Sequence, residues 1–257
     1  MQQGDHTFHI PVMGTGHTAD TPIRVAPLGI SSVISLVDDL LLEQLRAHYS
    51  PQYDLPYAPI PRDAEDGRAR RITAYLDMVD EIVARRFEAI RALPFQPGNA
   101  KALYFDLLPD ESPLKGDYRR LLAMEPGPDR EALARDLTGR MRPGSIDANI
   151  MVKVDRVNYD RRGEPLGDEY RDAMAALRGY AQSRVSSNLV LSAGINQALF
   201  RYMTRFPCFY RDATGEPRKR IVLKVSDLRS ARIQGTYLAR MGLELSLIHI
   251  SEPTRPY

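Results

Sequence analysis

The chain has 257 residues, 43% of them hydrophobic and 26% charged, an ordinary mixture for a soluble protein with a sizeable core. A formal net charge of +2 gives no argument for binding to nucleic acid or to an acidic membrane surface. Cys208 is the only cysteine, which excludes an intramolecular disulfide and favours a reducing cytoplasm. No apolar run approaches the roughly 18 residues of a membrane span and no signal-peptide pattern opens the chain, so we expect a cytoplasmic protein.

The first ordered stretch of the chain has the pattern strand, loop, short helix, strand. Ile10–Met13 is apolar and too short for a helix, and Ser32–Val37 is typical of a buried strand. Such a βαβ unit implies parallel strands, and ligands of parallel α/β proteins bind at the carboxyl ends of the strands. The loop after the first strand is therefore a candidate ligand site: Met13, Gly14, Thr15 and Gly16.

Roughly a hundred residues separate the second strand from the next convincing one, more than an ordinary βα crossover needs. Helical spacing predicts one long amphipathic helix over Gly67–Leu93 and shorter ones over Pro113–Met124 and Arg130–Met141. Prolines and tyrosines over 50–62 predict irregular structure, and Ala102–Leu108 fits either a strand or a helix. We interpret residues 40–147 as a helical insertion that covers a site or forms an oligomer contact.

The chain after this segment alternates strands and helices, as in a parallel sheet. Ser226 is predicted to cap the last helix, which the pattern places over Asp227–Met241. The earlier predicted elements are strands at Ala148–Val157, Ser187–Ser192 and Arg220–Val225, with helices at Asp168–Arg184 and Asn196–Arg205.

Two lysines lie inside these predicted strands, in a chain that has five lysines and thirty arginines. Side chains alternate across a strand, so Lys153 and Lys224 lie opposite the aliphatic faces of their strands and point into a barrel near its mouth. A lysine there is unfavourable unless it meets a phosphate, a carboxylate or a substrate. The alternatives are a protective lysine on an edge strand, or a pair with Asp155. Parallel strands would bring the following residues to one mouth: Met13, Gly14, Lys153, Asp155, Ser192, Lys224 and Ser226.

Four segments of this chain are similar to segments of one enzyme family. Pro11–Thr15 stands where that family has a Pro-Met-Gly-like turn beside a flavin, and Leu28–Ile34 is similar to its Gly-led second strand. Met151–Val154 matches the third strand with lysine in place of asparagine, and Lys224–Ala231 is similar to a Lys-Val-Ser/Thr unit before a helix. The chain thus resembles the flavin-dependent nitronate monooxygenase (2-nitropropane dioxygenase-like) barrels.

The resemblance implies an α/β fold, an incomplete (β/α)8 TIM barrel of about the first five β/α units. It also implies FMN as cofactor and monooxygenase-type oxidoreductase chemistry on a small anionic substrate. Because Lys153 replaces the family's asparagine, we expect a relative of these barrels rather than a true nitronate monooxygenase. Lys153 and Lys224 are the candidate catalytic residues. The candidate cofactor-binding residues are Met13, Gly14, Thr15, Gly16, Ser192, Gly194 and Ser226.

Two other functions fit the sequence. One is a class I aldolase-like lyase that forms a Schiff base on Lys153 or Lys224. The other is a non-catalytic binding or assembly protein that acts through the helical insertion. A metal site is not expected, because His6 and His9 straddle a strand start and should point to opposite faces. The expected partner is a small-molecule substrate, without nucleic acid or membrane, and the sequence leaves a homo-oligomer open.

The last thirteen residues, Leu245–Tyr257, resemble the translation of a common transposase sequencing-library adapter. Such a segment is excluded from fold reasoning. We therefore expect residues 1–244 to be the N-terminal part of one barrel domain whose natural chain continues. We also expect the apolar side chains of the tail, Leu247, Ile248 and Ile250, to be exposed.

Overall fold

A computed structural model describes residues 5–7, 9–12, 18–160, 162–192 and 194–250. Its centre is a parallel sheet whose strands follow one another in chain order and curl into a half barrel. The parallel order predicted for the first five strands is confirmed. The strands are β1 (His9–Ile10), β2 (Ser31–Ser35), β3 (Ile146–Met151), β4 (Asn188–Ser192), β5 (Arg220–Val225) and β6 (Leu245–Ile250).

Helices connect these strands, and five of them lie between β2 and β3. Residues Ala100–Asp106, which fitted a strand or a helix, form a helix whose first turn is capped by the Asn99 side chain. The predicted irregular segment begins later than expected, since a helix continues through Pro51 to Gln52. The helices are α1 (Thr21–Val25), α2 (Asp39–Gln52), α3 (Gly67–Ala92), α4 (Ala100–Asp106), α5 (Pro113–Ala123), α6 (Pro128–Arg140), α7 (Asp172–Gln182), α8 (Gln197–Met203) and α9 (Leu228–Arg240).

Two hydrophobic cores hold these layers together. The larger lies on the convex side of the sheet, where Ile34, Ile150 and Leu223 pack with the apolar faces of α3 and α7. The smaller lies among α4, α5, α6 and the last turns of α3, around Phe105 and Leu121. The segment between β2 and β3 therefore has apolar packing of its own, while α3 also belongs to the main core.

Two element boundaries differ from the prediction near the carboxyl end of the sheet. β3 begins two residues earlier than expected and ends at Met151, where Val154 N–H donates to the Met151 carbonyl in a turn. The prediction of a strand to Val157 is therefore wrong, and Lys153 follows the strand. Ser226 does not cap the last helix; Asp227 does, by accepting a hydrogen bond of 2.7 Å from Ser230 N–H.

The first six residues of the adapter-like tail form β6, which pairs in parallel with β5 at the edge of the sheet. Its apolar side chains remain in contact with solvent: Leu247 is 50% exposed, Ile248 40% and Ile250 45%. The origin of this tail stays a prediction.

Within the described residues, no helix combines the length and the apolar character needed to cross a membrane.

Candidate functional site

The concave face of the half barrel lines a cavity of about 1850 Å³. Every second residue of β2 to β5 faces it, because side chains alternate along a strand. The residues between them pack on the convex side, as the alternation in β3 and β5 predicts. Three rows cross the cavity: an amino row (Val33, Asp147, Asn188, Arg220), a middle row (Ser35, Asn149, Val190, Val222) and a carboxyl row (Met151, Ser192, Lys224, His249).

Lys224 occupies the carboxyl row on β5. The strand fixes its direction, since Leu223 and Val225 on either side belong to the convex core. The side chain is half-buried, and His249 on β6 is its register partner. Among the described residues, the Lys224 ammonium group has neither an ion pair nor a hydrogen bond. The group therefore stands at the cavity with its three donors free for a ligand.

Lys153 reaches the same cavity from the turn after β3. Its aliphatic chain lies against Gly194, where an added Cβ would come within 2.3 Å of Lys153 Cε. Gly194 has φ of +110°, a conformation that side chains disfavour, so its backbone favours glycine, and a side chain there would also push the end of Lys153 aside. Like Lys224, Lys153 has no ion pair or hydrogen bond to any described residue.

Asp155 does not join this site, contrary to the prediction. Its carboxylate accepts hydrogen bonds from Ala173 N–H at 2.9 Å and from Asn196 Nδ2 at 3.0 Å. Asp155 thus ties the start of α7 to the turn before α8, and the alternative pair with Lys153 does not form. Its role in this structure is to hold the turns that carry Lys153 and Gly194.

Ser192 and Asn149 connect the carboxyl row to the middle row. Asn149 is buried, and its Nδ2 donates to the Val190 carbonyl at 3.1 Å and to Ser192 Oγ at 2.9 Å. Ser192 lies beside Lys224, since Leu191 and Leu223, the residues before them, are register partners. Asn149 lies inside the predicted strand and on its lysine face, but sequence reasoning considered only Met151, Lys153 and Asp155 on that face and so missed it.

The remaining predicted site residues are placed as follows. Ser226 lines the cavity but is exposed, and its hydroxyl donates to Asp227 Oδ2 at 2.6 Å. The predicted glycine loop, Met13, Gly14, Thr15 and Gly16, lies outside the described residues.

His6 and His9 both line the amino end of the cavity, where they have different neighbours. His9 Nε2 lies 3.4 Å from Asp147 Oδ2. His6 is buried against the Tyr104 ring at 4.6 Å, and burial lowers the pKa of its imidazole to about 4. The described residues contain no group of three or more histidine, cysteine and carboxylate side chains that could hold a metal ion.

The other three lysines, unlike Lys153 and Lys224, have hydrogen-bond partners among the described residues. Lys101, Lys115 and Lys219 each donate to backbone carbonyls at the end of a helix: α3, α4 and α7, respectively. Lys219 is fully buried, and burial lowers the pKa of its amine to about 8. Sequence reasoning missed it because Arg218 and Arg220 on either side suggest a solvated charge run.

Among known proteins, no family model and no curated protein matches the chain.

Proposed function

We propose that this chain is a flavin-dependent oxidoreductase of the nitronate monooxygenase-like class. It binds FMN on the concave face of an incomplete (β/α)8 barrel and acts on a small anionic substrate. The observation that carries this proposal is a pair of lysines, Lys153 and Lys224, at the carboxyl end of one concave face, whose ammonium groups have no hydrogen bond or ion pair to a described residue. Parallel strands in chain order with helices between them support the barrel assignment.

The residues at this end of the cavity fit FMN. The flavin ring edge and the phosphate are rich in acceptor oxygens, and Lys153 and Lys224 offer donors without competing carboxylates. The cavity, at about 1850 Å³, exceeds the roughly 300–1,000 Å³ of ordinary small-molecule sites. When bound, FMN supplies the electron-transfer chemistry. The two lysines hold and orient the anion and stabilise negative charge that develops beside them.

FMN titration followed by quenching of flavin fluorescence tests the proposal. Weak but saturable binding is expected, because an incomplete barrel supplies only part of an FMN site, and riboflavin should bind more weakly still because it lacks the phosphate. Lys224→Met and Lys153→Met should each weaken FMN binding by roughly tenfold or more, since each removes a charge-assisted donor. Lys115→Met is the matched control. Absence of FMN binding by the wild-type chain contradicts the proposal, as does wild-type affinity in both site variants.

The position of Lys224 supports a second candidate. An unpartnered lysine on the inner face of a barrel strand is also what a class I aldolase-like lyase uses to form a Schiff base. Treatment with pyruvate and borohydride, followed by peptide mass spectrometry, separates the two functions. A reduced adduct on Lys224 or Lys153 favours the lyase, whereas FMN binding without an adduct favours the oxidoreductase.

A further inference from the structure

Helices α8 and α9 and the turns that follow them carry arginines without any carboxylate. Residues 196–211 and 228–243 contain six arginines and no acidic residue, in a chain whose net charge is only +2. The three arginines of α9 are exposed and have neither an ion pair nor a hydrogen bond to a described residue: Arg229, Arg232 and Arg240. This surface therefore presents positive charge that the described part of the fold does not neutralise.

The three arginines lie on one face of α9, because residues three and eleven positions apart share a face of a helix. At a rise of roughly 1.5 Å per residue, Arg229 and Arg240 are about 16 Å apart along the helix axis. All three line a groove of about 460 Å³ between α9 and α8, and no carboxylate among the described residues lines it.

Apolar side chains form much of the rest of this groove. Phe200 of α8 lines it and is fully buried, and its ring centroid lies 6.2 Å from that of Tyr237 on α9. Ile195 and Ile233 also line the groove, and they are 40% and 51% exposed. Exposed aliphatic side chains beside aromatic rings and unpaired arginines are typical of a surface that binds another protein.

We infer that the groove between α8 and α9 binds an acidic amphipathic helix of a partner protein. Charge complementarity selects carboxylates, which accept two hydrogen bonds from one guanidinium group. Such a helix lays its apolar stripe into a groove, and about three of its turns span the distance from Arg229 to Arg240.

Two other classes of anionic partner fit this groove less well. The exposed isoleucines Ile195 and Ile233 favour an apolar side chain over the sugar–phosphate backbone of a nucleic acid. A concave groove also fits a helix better than the flat surface of an anionic membrane. The groove is therefore assigned to a helix, and the other two partners become outcomes of the test.

The groove is separate from the other open surfaces of the sheet and its helices. On the far side of α9, Gly235 and Ala239 line a second groove with Leu245 and Ile248 of β6. A further β/α unit of a barrel would place its helix on that side and would leave the α8–α9 groove open. None of the three α9 arginines lines the concave cavity, so the inference does not depend on FMN.

Fluorescence anisotropy with two labelled helical peptides of about 15 residues tests the inference. Both peptides have the same leucine stripe, flanked by glutamates in one and by lysines in the other. The acidic peptide should bind saturably and the basic peptide should not. Combined Arg229→Gln and Arg232→Gln substitutions should weaken binding of the acidic peptide by roughly tenfold or more.

The matched control combines Arg130→Gln and Arg135→Gln in α6. These arginines also lack an ion pair or hydrogen bond to a described residue, but they stand among Asp129, Glu131 and Asp136. This control should bind the acidic peptide within about twofold of the wild type. The substituted side chains of α9 are exposed, so the groove variants should fold.

Ile233→Gln tests the apolar part of the groove, because it keeps the charge and removes an aliphatic contact. Binding of the acidic peptide should weaken by roughly fivefold. Unchanged affinity in this variant or in the Arg229→Gln, Arg232→Gln variant overturns the inference, and so does an equal loss in the α6 control. Arginine-dependent binding of phosphatidylserine vesicles or of a single-stranded oligonucleotide, without binding of the acidic peptide, also overturns it.

Discussion

The five lysines of this chain occupy two kinds of environment. Lys101, Lys115 and Lys219 donate to carbonyls at the carboxyl ends of helices, where the helix dipole favours positive charge. Lys153 and Lys224 line the concave cavity and have no partner among the described residues. The first three lysines donate to backbone carbonyls at the ends of helices. The ammonium donors of Lys153 and Lys224 have no acceptor among the described residues, so we assign them to a ligand.

Replacement of Lys219 should have the largest effect on stability. Its ammonium group donates to the Tyr180 carbonyl and to the Ser183 carbonyl and hydroxyl, all buried at the end of α7. Lys219→Met removes all three bonds and leaves the buried Ser183 carbonyl without a donor among the described residues, while the Tyr180 carbonyl still accepts from Ser183, so the free energy of unfolding should fall by about 3 kcal/mol. Lys224→Met removes no hydrogen bond or ion pair to a described residue and should change the free energy of unfolding by less than about 0.5 kcal/mol. Urea unfolding of the Lys219→Met and Lys224→Met variants measures the two losses. Equal losses would contradict the distinction between helix-end lysines and cavity lysines.

The same lysine should make stability depend on pH. Burial lowers the pKa of the Lys219 amine from 10.5 to about 8, so between these values the unfolded chain holds a proton that the folded chain lacks. The free energy of unfolding should therefore rise from about pH 8 to pH 10.5, by up to about 3 kcal/mol. Below pH 8 both states are protonated and Lys219 contributes no slope. The measurement is the difference between wild type and Lys219→Met across this range; a constant difference contradicts the expected titration.

Substitution of two glycines with positive φ tests the contact between Gly194 and Lys153. Gly194 and Gly163 both have positive φ, but an added Cβ meets Lys153 at Gly194 and nothing within 4 Å at Gly163. Gly163→Ala should lose about 1 kcal/mol of unfolding free energy from backbone strain alone. Gly194→Ala should lose a similar amount, because the end of the flexible Lys153 side chain can move aside, but this displacement should weaken FMN binding. Unchanged FMN binding in both variants would show that Lys153 is not held by Gly194.

Deletion of residues 245–257 should have only a small effect on stability. β6 pairs with β5, but its apolar side chains beyond Leu245 are largely exposed. The free energy of unfolding should fall by about 1 kcal/mol, because little apolar area is lost from the interior. Urea unfolding of the chain that ends at Glu244 is the measurement. A loss of several kcal/mol would show that this strand is an integral part of the core.

The strands were predictable because apolar residues repeat in a pattern that only a buried sheet requires. Alternation placed Ile150 on the convex side and Lys224 toward the cavity, as the structure has them, whereas Lys153 lines the cavity from the turn after β3. Alternation did not place the ends of β3, because Asp147 near its start is typical of loops as well as of strands, and the apolar alternation of Val152 and Val154 continues past Met151. The contacts of Asp155 and the Asn149–Ser192 bond depend on residues distant in sequence, so local patterns could not indicate them.

The most direct test of the account follows all five lysines at once. Protein with 13C-labelled lysine gives one Cε signal for each lysine, assigned by single lysine-to-arginine variants, and is titrated with FMN and with sulfate. We predict that the Cε signals of Lys153 and Lys224 shift on titration. The signals of the helix-end lysines should not change: Lys101, Lys115 and Lys219. Shifts spread over all five lysines, or confined to the helix-end lysines, would contradict the assignment of the cavity lysines to an anionic ligand.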